Sequence, residues 1–107
     1  MNRIGIDIVD NRRIGNMMSD SFLKHVLSEA ETKEYSLCND KIAYIAGRFA
    51  AKEAIIKCLV DKKITDLTKI TILHGSFGEP LAYFEGHDIQ VSISHEKDYT
   101  VAIAMLI

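Results

Sequence analysis

Residues 42–60, IAYIAGRFAAKEAIIKCLV, decide the fold. Ile42, Ala46, Phe49, Ile56 and Val60 recur at helical spacing and predict one long helix. Glu53 falls on the same stripe, four residues after Phe49 and three before Ile56, and Lys57 follows one turn later. Strand patterns flank it on both sides. Upstream, Ile4, Ile6 and Ile8 alternate with Gly5, Asp7 and Val9, so residues 3 to 9 read as a strand with Asp7 pointing away from the isoleucine face. Downstream, the period changes to two. Residues 69–74, 81–85, 89–95 and 99–106 read as four strands joined by short connectors, which predicts antiparallel pairing.

Between the first strand and the long helix the caps are explicit. Asp10 is placed to cap a short helix carrying Arg12, Arg13, Ile14, Met17 and Met18. A second helix is expected over residues 21–27. Ser28 with Glu31 three residues on has capping-box spacing and opens a third helix, to about Leu37. The order of elements is strand, helices, long helix, antiparallel meander, an α+β fold. No repeat, linker or low-complexity stretch interrupts residues 1–107, so one domain is expected.

Composition narrows the function. Of 107 residues, 48% are hydrophobic and 26% charged, the balance of a globular chain rather than a disordered one. A formal net charge of −2 lacks the basic excess that captures nucleic acid, so no nucleic-acid partner is expected. No apolar run approaches the ~20 residues of a membrane span, and no signal-peptide layout is visible, so the expected location is the cytoplasm, without a membrane. Cys38 and Cys58 are not spaced as a metal or redox pair, and Cys58 reads as core filler. A chain this short buries roughly 60–70% of its unfolded surface, a modest core that oligomerisation often supplements.

Two carboxylates stand in costly places, Asp7 inside a strand and Glu53 on an apolar stripe. One reading pairs Glu53 with Lys57 at i,i+4 and satisfies Asp7 with backbone N–H groups. The other has both acids share a hard cation. Mg²⁺ takes one or two carboxylates and leaves room for water and substrate phosphate, with Lys57 close by. The histidines lack zinc-ligand spacing, and no Gly-rich phosphate loop is present. Arg12 and Arg13 with Met17 and Met18 form either a solvated helix face or a docking surface for an acidic helix.

Three segments then converge on one family. They are residues 4–10 (IGIDIVD) with Arg13 and Ile14, residues 46–54 (AGRFAAKEA) with Lys57, and residues 91–96 (VSISHE) with Tyr99. In order and spacing the chain resembles bacterial holo-acyl-carrier-protein synthase, the small type of 4′-phosphopantetheinyl transferase, and the resemblance spans nearly the whole chain. It implies transfer of the phosphopantetheine arm of coenzyme A to a serine of apo acyl carrier protein, releasing adenosine 3′,5′-bisphosphate, in support of fatty acid biosynthesis. By position it implies Asp7 and Glu53 as Mg²⁺ ligands, and Lys57 and His95 as catalytic residues that also meet coenzyme A. Arg48 and Lys62 are implied as further coenzyme A contacts, and Arg13, Met17 and Met18 as the carrier-docking surface. A homotrimer with interfacial active sites is the family habit. One departure is plain: the family's Gly-Thr-Gly turn after the helix lysine is replaced by residues 58–64, CLVDKKI, without glycine and one residue longer. The competing readings are a non-catalytic module that docks an acidic carrier-type helix, and a different Mg²⁺-dependent phosphate enzyme.

Overall fold

The computed structural model describes residues 3–107. The first strand, β1 (Arg3–Asp10), ends on Asp10, whose carboxylate accepts the Arg12 N–H and starts α1 (Asn11–Asn16). Ser19 caps α2 (Asp20–Val26) in the same way, by accepting the Phe22 N–H. The capping box of α3 (Glu29–Leu37) forms in both directions: the Glu31 N–H reaches the Ser28 hydroxyl, and the Glu31 carboxylate takes the Ser28 N–H. Asp40 caps the long helix, α4 (Lys41–Cys58). Each such cap contributes on the order of 1 kcal/mol and fixes where its helix begins.

The strands downstream are β2 (Thr71–His74), β3 (Pro80–Tyr83), β4 (Ile89–His95) and β5 (Tyr99–Leu106). β2 pairs with β3 and β4 with β5, both antiparallel as their short connectors predict, but the four do not make one continuous meander. β2 and β3 form a separate hairpin, while β4 and β5 join β1 in a three-stranded sheet of order β1-β5-β4. Asp7 lies opposite Ala102 in the β1–β5 register. The expected start of β2 at residue 69 is instead a 3₁₀ turn over Leu67–Lys69.

The core lies between α4 and the three-stranded sheet. Ile45, Ala46, Ala50, Ala51, Ala54, Ile55 and Cys58 of α4 are fully buried, with Ala102 and Ala104 of β5 opposite. Alanines on both surfaces let helix and sheet approach closely. Gly5 takes this furthest: a Cβ there would collide with the Ala54 carbonyl and lie 3.0 Å from the Lys57 Cβ. The buried face of α4 therefore differs from the stripe read in the sequence. Ala46 is buried, Phe49 and Ile56 are half-buried, Ile42 is exposed, and Val60 lies beyond the helix end in a 3₁₀ turn (Val60–Lys62). The helix is packed from more than one side, so a single stripe does not describe its burial.

Two charged residues of α4 lie inside. Lys52 is fully buried and donates to Glu31 Oε1 (2.6 Å) and to the carbonyls of Val26 (2.5 Å) and Leu67 (3.0 Å). Glu31, equally buried, also accepts the Ile72 N–H (2.7 Å) through Oε2. This cluster ties α2, α3, α4 and β2 together.

The isoleucine face of β1 points the other way. Ile4, Ile6 and Ile8 are 62%, 57% and 61% exposed, and Ile103 and Tyr99 of β5 extend the same apolar surface. Gly5 and Val9 are the inward residues of β1, and Asp7 lies between them, half-buried. Both cysteines are free, and Cys58 is core filler as expected. Among the described residues no helix is long and apolar enough to cross a membrane.

Candidate active site

The close approach of β1 to α4 at Gly5 brings Asp7 against the C-terminal half of the helix. There Lys57 Nζ donates to the Ile6 carbonyl (2.7 Å) and to Asp7 Oδ1 (3.2 Å). The cation thus falls on Asp7, a residue fifty positions away, and the i,i+4 pair with Glu53 does not form. Asp7 is satisfied by a side chain, not by backbone N–H groups alone.

Asp7 and Glu53 line one cavity of about 230 Å³, together with Asp10, Arg13, Met17 and Phe49. Burial raises the Glu53 carboxyl above its usual value, the Asp7 charge raises it further, and Lys57 acts in the opposite sense. Two acids sharing one half-enclosed space repel each other, and a divalent cation is what such a pair accommodates. Among the described residues no three His, Cys, Asp or Glu side chains cluster as a metal site. Asp7 and Glu53 offer two hard carboxylate oxygens to this cavity. That suits Mg²⁺ shared with a phosphate and does not suit a closed all-protein cage.

The residues expected to dock the carrier divide. Arg13 and Met17 stand at the rim of this cavity, both exposed, at the end of α1. Met18 does not join them; it packs against the hydrophobic core. Arg48 is not gathered to the cavity either. It is 4% exposed, donates through Nε to the Ile72 carbonyl (3.1 Å) and pairs with Glu34 (3.3 Å), and lies over the Tyr44 ring. These contacts tie α4 to α3 and β2.

His95 lies on the other side of α1. It lines a broader concavity of about 590 Å³ with Asn11, Arg12, Asp40 and Lys97, and its Nδ1 is 3.2 Å from Thr100 Oγ1. Burial lowers its basicity; the charge of Asp40 acts against this and that of Arg48 with it. Lys62 borders a third concavity, near Lys69 and Phe84. In the turn that lacks the family's glycines, Lys63 itself takes a left-handed backbone (φ 50°), the conformation glycine adopts most readily. The sequence reading missed Thr100 and Asn11 beside His95, and the Glu31–Lys52 pair. Thr100 sits next to the quoted Tyr99, but only the fold turns it toward the imidazole.

The family described as the 4′-phosphopantetheinyl transferase superfamily matches residues 3–104. A holo-[acyl-carrier-protein] synthase of Mycoplasma capricolum is 42% identical, with 98% of this chain and 94% of that protein covered. One from Clostridium tetani is 37% identical over 96% and 93%. Among solved structures, the Bacillus anthracis holo-(acyl-carrier-protein) synthase in complex with CoA (3′,5′-ADP) superposes with a TM-score of 0.88 at 33% identity, covering 97% of this chain and 94% of that one. The Helicobacter pylori synthase in complex with coenzyme A gives 0.84 at 31% identity, over 97% and 99%.

Proposed function

This chain belongs to the 4′-phosphopantetheinyl transferase superfamily, and from that premise we infer that it transfers the 4′-phosphopantetheine group of coenzyme A to a serine of apo acyl carrier protein. The bond formed joins the serine oxygen to the phosphorus nearest the pantetheine. The bond broken releases adenosine 3′,5′-bisphosphate, which departs with the electron pair as a phosphate and needs no proton. The serine proton passes to a general base at the site. Residues 1–107 act as one transferase domain, in the cytoplasm, supplying carrier protein for fatty acid biosynthesis.

The observation that supports this reading best is the meeting of Asp7 and Glu53, from distant segments, in one cavity rimmed by Arg13 and Met17, with Lys57 paired to Asp7 beside it. Asp7 and Glu53 would hold Mg²⁺, whose chemistry there is to neutralise charge on the pyrophosphate oxygens. Lys57, half-exposed and held by the Ile6 carbonyl, presents a second positive charge to the same oxygens. Arg13 and Met17 offer the acidic carrier a cation and a soft apolar contact beside the acids. Lys62 offers coenzyme A a side-chain charge where relatives use a glycine turn, and His95 serves the neighbouring concavity.

The assembly we propose is a homotrimer whose active sites are completed between subunits. Its support is the apolar face of Ile4, Ile6, Ile8 and Ile103, too large and too regular to be left to water in a stable monomer. Such a face also compensates for the modest core of a chain this size.

The test is mass spectrometry of an apo carrier protein incubated with the enzyme, coenzyme A and Mg²⁺. The expected product is heavier by one phosphopantetheine. Absence of any mass gain overturns the transfer reading. Glu53→Gln is expected to reduce turnover by two or more orders of magnitude while the protein stays folded. Full turnover by that variant overturns the metal assignment.

A further inference from the structure

His95 is held from behind by two residues whose hydrogen bonds leave it only one arrangement. Asn11 sits at the start of α1, where its backbone N–H donates to the Asp98 carbonyl (2.8 Å). Its Nδ2 donates to the carbonyls of Glu96 (3.0 Å) and Lys97 (3.1 Å). Both amide protons are thus used on the β4–β5 turn, which sets the amide so that Oδ1 faces Thr100. The Thr100 hydroxyl donates to that oxygen at 2.8 Å. Thr100 is fully buried and shut off from bulk solvent.

A hydroxyl has one proton. Thr100 spends it on Asn11, so toward His95 Nδ1, 3.2 Å away, it can only accept. A neutral imidazole carries its single proton on one nitrogen or the other. Here that nitrogen has to be Nδ1. Nε2 then bears the lone pair, and it makes no side-chain hydrogen bond among the described residues. The opposite edge of the ring rests on α4 at Gly47. A Cβ there would lie 3.3 Å from Cε1 and 3.5 Å from Nε2 of His95, so a larger residue would press on the ring. Glycine inside a helix costs about 1 kcal/mol relative to alanine, and this one makes room for the imidazole.

We propose that Asn11 and Thr100 are positioning residues that lock His95 as the Nδ1–H tautomer, so that neutral His95 meets its reaction partner through Nε2 and as a hydrogen-bond acceptor. The chemistry that fits Nε2 is a hydroxyl or water with a proton to give. The use of this lock in catalysis rests on the transfer reading; the lock itself does not.

The experiment reads the tautomer in the free protein, without coenzyme A or carrier. The full chain is labelled with ¹⁵N in its histidines, and long-range ¹⁵N–¹H correlations are recorded at a pH where His95 is neutral. His95→Gln identifies its signals among the four histidines. The expected pattern is a protonated Nδ1 and a bare Nε2. Thr100→Val, close in shape, is expected to shift His95 to mainly Nε2–H, and Thr100→Ser, which keeps the hydroxyl, to preserve the wild-type pattern. A wild-type protein with Nε2–H, or Thr100→Val with Nδ1–H intact, overturns the proposal. If Thr100→Val does not fold, the wild-type spectrum alone decides. A failure here leaves the transfer reading standing, and a carrier that gains no mass leaves the tautomer result standing.

Discussion

Lys52→Met isolates the charge at the centre of the fold. Methionine keeps most of the lysine stem's packing and removes only the ammonium. In the wild type that ammonium meets Glu31 at 2.6 Å and two backbone carbonyls, with both side chains fully buried. Without it Glu31 retains the Ser28 and Ile72 N–H groups but has no counter-charge, and the Val26 and Leu67 carbonyls lose a donor. Breaking a buried pair from one side costs about 3–5 kcal/mol, because a desolvated charge is stranded. A domain of this size has ~5–15 kcal/mol in all. For a urea m-value of about 2 kcal/mol/M, a loss of ~4 kcal/mol lowers the midpoint by about 2 M. The assay is urea unfolding followed by circular dichroism, with all variants at one protein concentration because assembly couples to folding. Glu31→Gln combined with Lys52→Met removes the stranded charge and is expected to recover at least ~1 kcal/mol over the sum of the single losses. A Lys52→Met loss under ~1 kcal/mol, or strictly additive single variants, would refute the reasoning.

Other consequences are open to direct measurement. Gly5→Ala drives a methyl into the Ala54 carbonyl and is expected to cost at least ~1–3 kcal/mol in unfolding experiments and to reduce transfer by moving Asp7 off α4; a variant as stable and active as wild type contradicts the close approach. Ile6→Asp puts a charge on the apolar sheet face and is expected to convert the proposed trimer to monomers in light scattering, with transfer lost; an unchanged trimeric mass places the interface elsewhere. Burial alone would raise the Glu34 carboxyl, but hydrogen bonds from the His74 N–H and the Tyr44 hydroxyl, with the charges of His74 and Arg48, outweigh it and hold it below 4.5. Because the folded value is the lower one, its stabilisation is whole above pH 4.5 and is lost as the pH falls through the folded value. Glu34→Gln is expected to flatten the stability profile below pH 4.5, and profiles of equal slope would contradict that.

The local elements were legible because their signals are local. The Ser28–Glu31 box and the Asp10 cap satisfy backbone groups within three residues, so the code for them is contiguous. Periodicity found α4 and the strands, and short connectors gave antiparallel pairing. Asp7 and Glu53 stood out because a carboxylate in an apolar context is costly wherever it ends up. Which cation meets them was not legible. Lys57 is four residues from Glu53 yet goes to Asp7, because the approach at Gly5 sets β1 against that turn of the helix.

The tertiary structure alone decided the rest. Lys52 and Glu53 are adjacent, and nothing in their neighbours says that one is sealed in the core and the other faces a cavity. That follows from α4 being covered on several sides, which a one-dimensional pattern does not register. The alternation in β1 showed that Asp7 and the isoleucines face opposite ways, but only the sheet's packing on α4 told which side is inside. The chain wrote its own helices, strands and costly acids, since those depend on spacing and propensity. Which face is buried, where each charge finds its partner and how His95 holds its proton depend on surfaces meeting across distant residues, and these exist only once the chain has folded.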